Sequence, residues 1–173
     1  WYFTKYYDQN DNDTADWTYV NNDGNYYHSD YTYTTNDGSY FEFEFCGTGV
    51  EFYTAKTAEM GEVDIYIDGE LCDTINLQSG NAQFQQKVYE VSGLNEGIHT
   101  IKGVKKNGSK LAVDFFKVLG EVERPAETET FTTTFIVDGV ETTVVTNAGE
   151  QIQMPADPVK DGYTFKGWFT AET

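Results

Sequence analysis

From Tyr40 onward apolar and polar positions alternate with period two: Phe41, Phe43 and Phe45 fall on one side of an extended chain, Glu42 and Glu44 on the other. This is the pattern of a strand with one buried and one wet face. Asp37-Gly38 supplies the turn before it, and residues 50–53 predict a second strand. The run Val63-Asp64-Ile65-Tyr66-Ile67 meets Asp68-Gly69, a dipeptide suited to a type I′ hairpin turn, and returns through residues 71–77. Further strands are expected over 84–91, 98–104 and 111–119, the last two joined across Asn107-Gly108. No helical periodicity longer than a turn or two interrupts the series. Turn signals this regular predict an all-β fold, an antiparallel β-sandwich over residues 1–120.

After Gly120 the rhythm stops. Residues 121–129 are charged, include Pro125 and lack hydrophobic spacing, so they read as a linker. A smaller unit is expected over 130–173. Residues 131–137 and 140–146 flank Asp138-Gly139 as another hairpin, and 162–169 reads as a compact aromatic strand after Pro155 and Pro158. So short a unit is near the lower size limit for independent folding. The chain starts at Trp1 without Met and stops at Thr173 in mid-pattern. Both features predict a piece of a longer protein, with further domains and any signal peptide or anchor outside it.

Composition narrows the function. Among 173 residues, 29 Asp and Glu stand against 11 Lys and Arg, a net charge of −18. A field of that sign repels phosphate backbones, which excludes nucleic acid as a natural partner. No apolar run approaches the roughly 18 residues of a membrane span, so no insertion is expected. Cys46 and Cys72 make at most one disulfide, the alternative being two unpaired buried thiols.

A search for catalytic groups is negative. The two histidines, His28 and His99, stand apart; alternation puts His99 and Ile101 on one strand face, which suits a structural role. No nucleophile elbow, HExxH or phosphate loop is present. Carboxylates abound, but a glycosidase needs a deep cleft that a sandwich of about 120 residues rarely provides. Asp8, Asp11 and Asp13, with Asp16 beyond, place oxygens at intervals that could hold a structural Ca²⁺, although the loop lacks EF-hand spacing. The alternative is a solvated acidic turn. No cofactor is required.

The chemistry-bearing feature is aromatic. There are 13 Tyr, 12 Phe and 3 Trp, and eleven of these residues crowd the first 33 positions: Trp1, Tyr2, Phe3, Tyr6, Tyr7, Trp17, Tyr19, Tyr26, Tyr27, Tyr31 and Tyr33. Their neighbours are Asn, Asp, Ser and Thr, with few aliphatics. Sugar rings present C–H patches to a flat ring and hydroxyls to amides and carboxylates, so this mixture points to carbohydrate. The alternative is that the rings close one end of the sandwich.

Residues 16–118 resemble a galactose-binding-like family of β-sandwich modules, jelly rolls attached to bacterial polysaccharide-active enzymes and surface proteins. The landmarks are Trp17, 38–45, 47–53, 63–69, 86–90, Gly93-Leu94, 97–101 and 113–118. The resemblance implies an exported, non-catalytic module with its glycan site in loops at one end: 17–31, 54–60, 78–84 and 105–110. On that basis Trp17 with some of Tyr19, Tyr26, Tyr27 and Tyr31 would stack on one or two sugar rings, while Asn21, Asn22, Asp23, Lys56 and Asn107 would meet hydroxyls. The expected partner is a polysaccharide or oligosaccharide, with a slight lean to starch-like α-glucan, held weakly at about 10 μM to 1 mM. Several copies on one cell would add avidity. The other class compatible with the residues is an adhesion or spacer module with no glycan site.

Residues 130–173 resemble the β-grasp repeat of Gram-positive surface proteins, of the Listeria-Bacteroides or internalin B-repeat type. The resemblance rests on Val137-Asp138-Gly139, Gly149-Glu150, 154–158 and 161–168. It implies a spacer at the cell surface, truncated after the Gly-Trp motif, with Trp168 in its core.

Overall fold

The structure, a computed structural model, describes residues 4–13, 16–124 and 128–170. The rest of the N-terminal aromatic cluster, Trp1, Tyr2 and Phe3, lies outside the described residues. The chain divides into two compact units, Trp1–Arg124 and Pro125–Thr173. Among the described residues every regular element is a strand apart from one short helical turn, Tyr27–Ser29, and all strand ladders are antiparallel. No helix among the described residues is long and apolar enough to cross a membrane.

Three strands precede the alternating region: β1 (Thr4–Tyr7), β2 (Trp17–Asn21) and β3 (Asp30–Thr34). Next come β4 (Tyr40–Lys56), β5 (Glu62–Ile67), β6 (Glu70–Asn76), β7 (Gln83–Lys105), β8 (Leu111–Val113) and β9 (Phe115–Leu119). The main sheet runs β1-β4-β7-β5-β6, with β9 also on β4; β2-β3-β8 form a second sheet. The expected hairpin over 63–77 is β5-β6. Asp68 and Gly69 both take left-handed φ angles, 51° and 84°, as a type I′ turn requires.

The predicted strands over 41–45 and 50–53 are one 17-residue strand, and those over 84–91 and 98–104 are one 23-residue strand. β4 and β7 pair along nearly their whole length. Phe41 and Phe52 would stand about 36 Å apart on a straight strand at ~3.3 Å per residue. Their ring centroids lie 5.0 Å apart, so β4 folds back on itself. The bend falls at Gly47–Gly49, where the ladder slips. A Cβ on Gly49 would stand 2.3 Å from the Val91 carbonyl oxygen, which explains the absence of a side chain there. The slip also changes the parity of the inward face. Before it Phe41, Phe43 and Phe45 are buried; after it Val50, Phe52 and Thr54 are. Phe116 of β9 fills the gap, stacked on Phe43 at 4.5 Å and on Phe52 at 5.0 Å.

Residues 111–119 are not one strand. The segment breaks at Asp114, with β8 in the second sheet and β9 in the main one. Val122 donates to the Cys46 carbonyl at 3.2 Å and Arg124 pairs with Glu44, so the segment expected to open the linker runs along β4. No disulfide joins the cysteines: Cys46 is buried and Cys72 is exposed, the latter against expectation.

His99 is structural in its contacts, as alternation suggests. Its Nε2 faces the Asn95 carbonyl at 2.8 Å and its Nδ1 faces Asp68 Oδ2 at 2.7 Å, while Asp68 Oδ1 accepts from Thr100 N. Two acceptors on one ring favour imidazolium. The Asn95 carbonyl first, then the Asp68 carboxylate, raise its pKa above the ordinary 6.5. The resulting stabilisation is complete below 6.5 and is lost as pH rises through the raised value. Urea midpoints between pH 5.5 and 8.5 are expected to fall with pH in that window, and His99→Gln to remove the fall.

In the second unit β10 (Thr130–Val137) and β11 (Val140–Asn147) form the expected hairpin across Asp138-Gly139. The aromatic segment 162–169 is not a strand; it is irregular after a turn at Asp161-Gly162. Trp168 packs edge-to-face on Phe135 at 5.0 Å and on Phe165 at 5.4 Å.

Candidate functional site

Strands β2 and β3 and the loop between them carry most of the residues singled out in the sequence, with Asn22, Asp23, Tyr26 and Tyr27 in the loop itself. Asp23 organises it: its carboxylate accepts from the Asn25 backbone N–H and side-chain amide, its carbonyl accepts from Tyr26 N, and its own N–H donates to Ser29 O. Asn22, His28 and Ser29 have left-handed φ angles of 65°, 53° and 62°, so the loop turns sharply twice. The turning drives Tyr26 inward and leaves Tyr27 outward.

Tyr26 is 5% exposed and Tyr31 8%. Their rings stack at 3.9 Å, and Phe84 closes the edge of Tyr26 at 5.5 Å. Burial pushes the Tyr26 phenol well up from 10. These two expected platforms are therefore core residues, with ring faces occupied by protein. The reason is the scarcity of aliphatics in this part of the chain, which leaves aromatics to fill the space between the sheets. Trp17 is half-buried at the end of β2 away from the loop, packed on Tyr6 at 4.7 Å with its Nε1 donating to Tyr7 O at 2.9 Å. Tyr19 and Tyr27 are the two expected platforms that stay exposed, at 61% and 48%.

Tyr19 donates its hydroxyl to Asp30 Oδ2 at 2.9 Å. Tyr27 belongs to a larger arrangement. Its ring stacks on the adjacent His28 ring at 4.1 Å and meets Phe115 at 4.7 Å and 42°, and Phe115 stacks on its cross-strand partner Tyr53 at 4.5 Å and 8°. The Tyr27 N–H donates to Asp114 Oδ1 at 3.0 Å, and Gln85 reaches the Asn25 carbonyl at 3.2 Å. Beyond Tyr53, Glu51 holds Lys87 at 3.0 Å and Lys117 at 3.3 Å; the Lys87 ammonium above all keeps the Glu51 carboxyl below its usual range. The site is thus a column of rings with carboxylates and amides at its side, where the β2–β3 loop meets the ends of β4, β7 and β8.

The remaining expected polar contacts are scattered. Asn22 donates to Asn21 at 2.9 Å. Lys56 ends β4 opposite Gln83. Asn107 accepts from Glu62 N at 2.8 Å and donates to Glu62 Oε2 at 2.9 Å, beside a shallow polar cavity of about 330 Å³ shared with Asn76 and Gln78. Lys110, in the same loop, reaches the Tyr31 hydroxyl at 3.2 Å and lies over the Tyr33 ring.

Asp8, Asp11 and Asp13 do not converge. Asp8 accepts from Asn12 through both side chain and backbone and from Asn10 N; the Asn12 amide holds its carboxyl below the usual range. Asp11 accepts from the Tyr40 hydroxyl at 2.8 Å, and Asp13 bridges the backbone of Tyr7. Among the described residues no group of three or more His, Cys, Asp or Glu is placed to hold a metal ion.

Sequence reasoning missed Tyr53, Phe115 and Asp114. One signal was available: Phe115-Phe116 on a single strand must send one ring to each face, so one of them had to lie outside the core.

Comparison with known proteins adds five findings. The Listeria-Bacteroides repeat domain matches residues 131–173. A Flavonifractor plautii enzyme named A type blood alpha-D-galactosamine galactosaminidase is 36% identical over 97 residues, 56% of this chain. From the same organism, A type blood N-acetyl-alpha-D-galactosamine deacetylase is 33% identical over 108 residues, 62% of this chain. Internalin H of Listeria monocytogenes is 48% identical over 54 residues, 31% of this chain. The chain spans only 9%, 14% and 10% of the lengths of these three relatives. A solved Paenibacillus xanthan lyase superposes with a TM-score of 0.49 at 16% identity, over 76% of this chain and 15% of its own. In short, the chain is similar to a small part of each of two carbohydrate-acting enzymes and of an internalin, and its last 43 residues match a known repeat domain.

Proposed function

We propose that the N-terminal unit is a non-catalytic glycan-binding module of an exported bacterial protein, and that the C-terminal repeat is its surface spacer. The observation that carries this is the Tyr27 ring, held outward on Phe115 with the Asp114 carboxylate at its backbone. An exposed ring offers a surface to the C–H face of an uncharged sugar, and the exposed Asn25 and Gln85 side chains at the same loop are of the type that meets hydroxyls. Likeness to parts of two enzymes named for galactosamine chemistry supports the carbohydrate reading. It favours a galactosamine-bearing glycan over the starch-like α-glucan that exposed platforms alone suggested. Ring edges with few desolvated atoms keep each contact weak.

Affinity electrophoresis of the whole chain through gels containing mucin-type glycans, starch or xanthan tests this. Retardation is expected in the mucin gel, and Tyr27→Ala is expected to abolish it without changing the unfolding midpoint. The burial of Tyr26 and Tyr31 favours the competing reading, a spacer with no glycan site. Unretarded migration in every gel would establish that reading instead.

A further inference from the structure

Asp114 stands at the break between β8 and β9, where the chain crosses from one sheet to the other, 87 residues from Tyr27. One carboxylate oxygen accepts the Tyr27 N–H. The other, Oδ2, is shut off from solvent and has no hydrogen-bond partner. A carboxylate so placed has one task visible in its contacts, which is to fasten the β2–β3 loop to the crossover. The fastening acts where the backbone most needs it, since the adjacent His28 and Ser29 are non-glycine residues in left-handed conformations.

We propose that Asp114 is a positioning residue for the sugar site: ionised, it holds Tyr27 outward against Phe115, and on protonation it lets the ring go. This rests on the reading of Tyr27 as the sugar platform. The charged form is the stronger acceptor, because a charge-assisted hydrogen bond is roughly twice as strong as a neutral one. A protonated Asp114 would also bury an O–H without an acceptor. Burial, opposed by the Tyr27 N–H and reinforced by Asp30, pushes the Asp114 pKa up to about 6, so the change of state falls within a mildly acidic range. The titratable groups around it are Asp30 on β3, and Asp23, Tyr26 and His28 of the β2–β3 loop. Beyond them lie Glu59 past Tyr26, and Tyr53 with Lys87 opposite it on the far side of Phe115. His28 stacks on the Tyr27 ring at 4.1 Å, so its imidazole needs its own control.

The test uses the whole chain and N-acetylgalactosamine, which stays uncharged from pH 4.5 to 8. Two readouts are followed with pH: the Tyr27 amide resonance, which needs no ligand, and the sugar affinity. The amide is expected to titrate with a midpoint near 6, and affinity to weaken about threefold to tenfold from pH 7.5 to pH 5. Asp114→Asn is the neutral counterpart of the protonated carboxyl, so at every pH it should bind as weakly as wild type does at pH 5, which flattens both pH curves. Asp114→Ala, with an unchanged unfolding midpoint, should lose about tenfold at pH 7.5. His28→Gln should keep the pH step whatever it does to the affinity. A Tyr27 amide indifferent to pH, or a step that survives in Asp114→Asn, would overturn the proposal. A titrating amide with no sugar binding at any pH overturns the glycan reading instead, and leaves the tether standing.

Discussion

Phe41→Ala is expected to destabilise the N-terminal unit by about 3–5 kcal/mol, read as a lower denaturant midpoint at unchanged slope. Phe41 is fully buried and touches the rings of Phe52 and Phe116 at 5.0 and 5.4 Å. Those contacts hold the first half of β4 against its own second half, so the loss is felt on both sides of the bend. The cavity cannot collapse easily because both halves are fixed by the β7 ladder. Gly103, the cross-strand neighbour of Phe41, gives a second handle: a Cβ there would stand 2.2 Å from the Phe41 ring. Gly103→Ala alone should cost about 1–3 kcal/mol through overpacking. Combined with Phe41→Ala it should cost less than the sum, since the added methyl enters space the ring has left. Strict additivity would mean that the two sites do not share this space. Domains of this kind have about 5–15 kcal/mol in total, so Phe41→Ala removes a large part of it.

The same residues explain how far the fold could be read in advance. Alternation at Phe41 to Phe45 and the Asp-Gly turns report short-range geometry, and both elements stand where the pattern puts them. The continuity of β4 through Gly47–Gly49 could not be read, because glycines interrupt an alternating pattern equally at a loop and at a bend within a strand. β1, β2 and β3 escaped notice for a different reason. Apart from Val20 their apolar residues are Tyr and Trp, among Thr, Lys, Asn and Asp, and such large amphipathic rings pack inward without marking a face by polarity. That property also misdirected the reading of the site. Tyr26 and Tyr27 are adjacent and chemically identical, yet one fills the core and the other faces solvent, a choice made by the left-handed turns at Asn22 and His28 and by an acceptor 87 residues away. The irregular course of 162–169 has a comparable cause: among the described residues β10 and β11 pair only with each other, and the aromatic segment packs Trp168 on Phe135 without joining their ladder.

Asp37→Ala is expected to cost about 3 kcal/mol, and Lys105→Met less, although the two changes break the same ion pair. Lys105 closes β7 with its side chain only 1% exposed, and its ammonium is shared between the Asp37 carboxylate and the Gly108 carbonyl, the latter at 2.6 Å. Asp37 itself is 62% exposed. Removing Asp37 leaves a buried cation with one neutral acceptor. Removing Lys105 leaves a carboxylate that water can already reach, and a methionine fills much of the vacated volume; what is lost then is the donor to Gly108, about 1–3 kcal/mol. The asymmetry follows from which partner is desolvated, not from the strength of the pair. Lys105 N and O also bond Ser39 O and Gly38 N, so the pair clamps the turn before β4 to the loop that carries Asn107 and Lys110. Urea midpoints for the two variants, taken at low and high salt, decide the matter. A burial-dominated pair keeps the order Asp37→Ala worse than Lys105→Met in 1 M salt, where an exposed pair would be screened away. Equal losses, or a difference that vanishes with salt, would mean that water reaches the Lys105 ammonium and that this clamp contributes little to the rim.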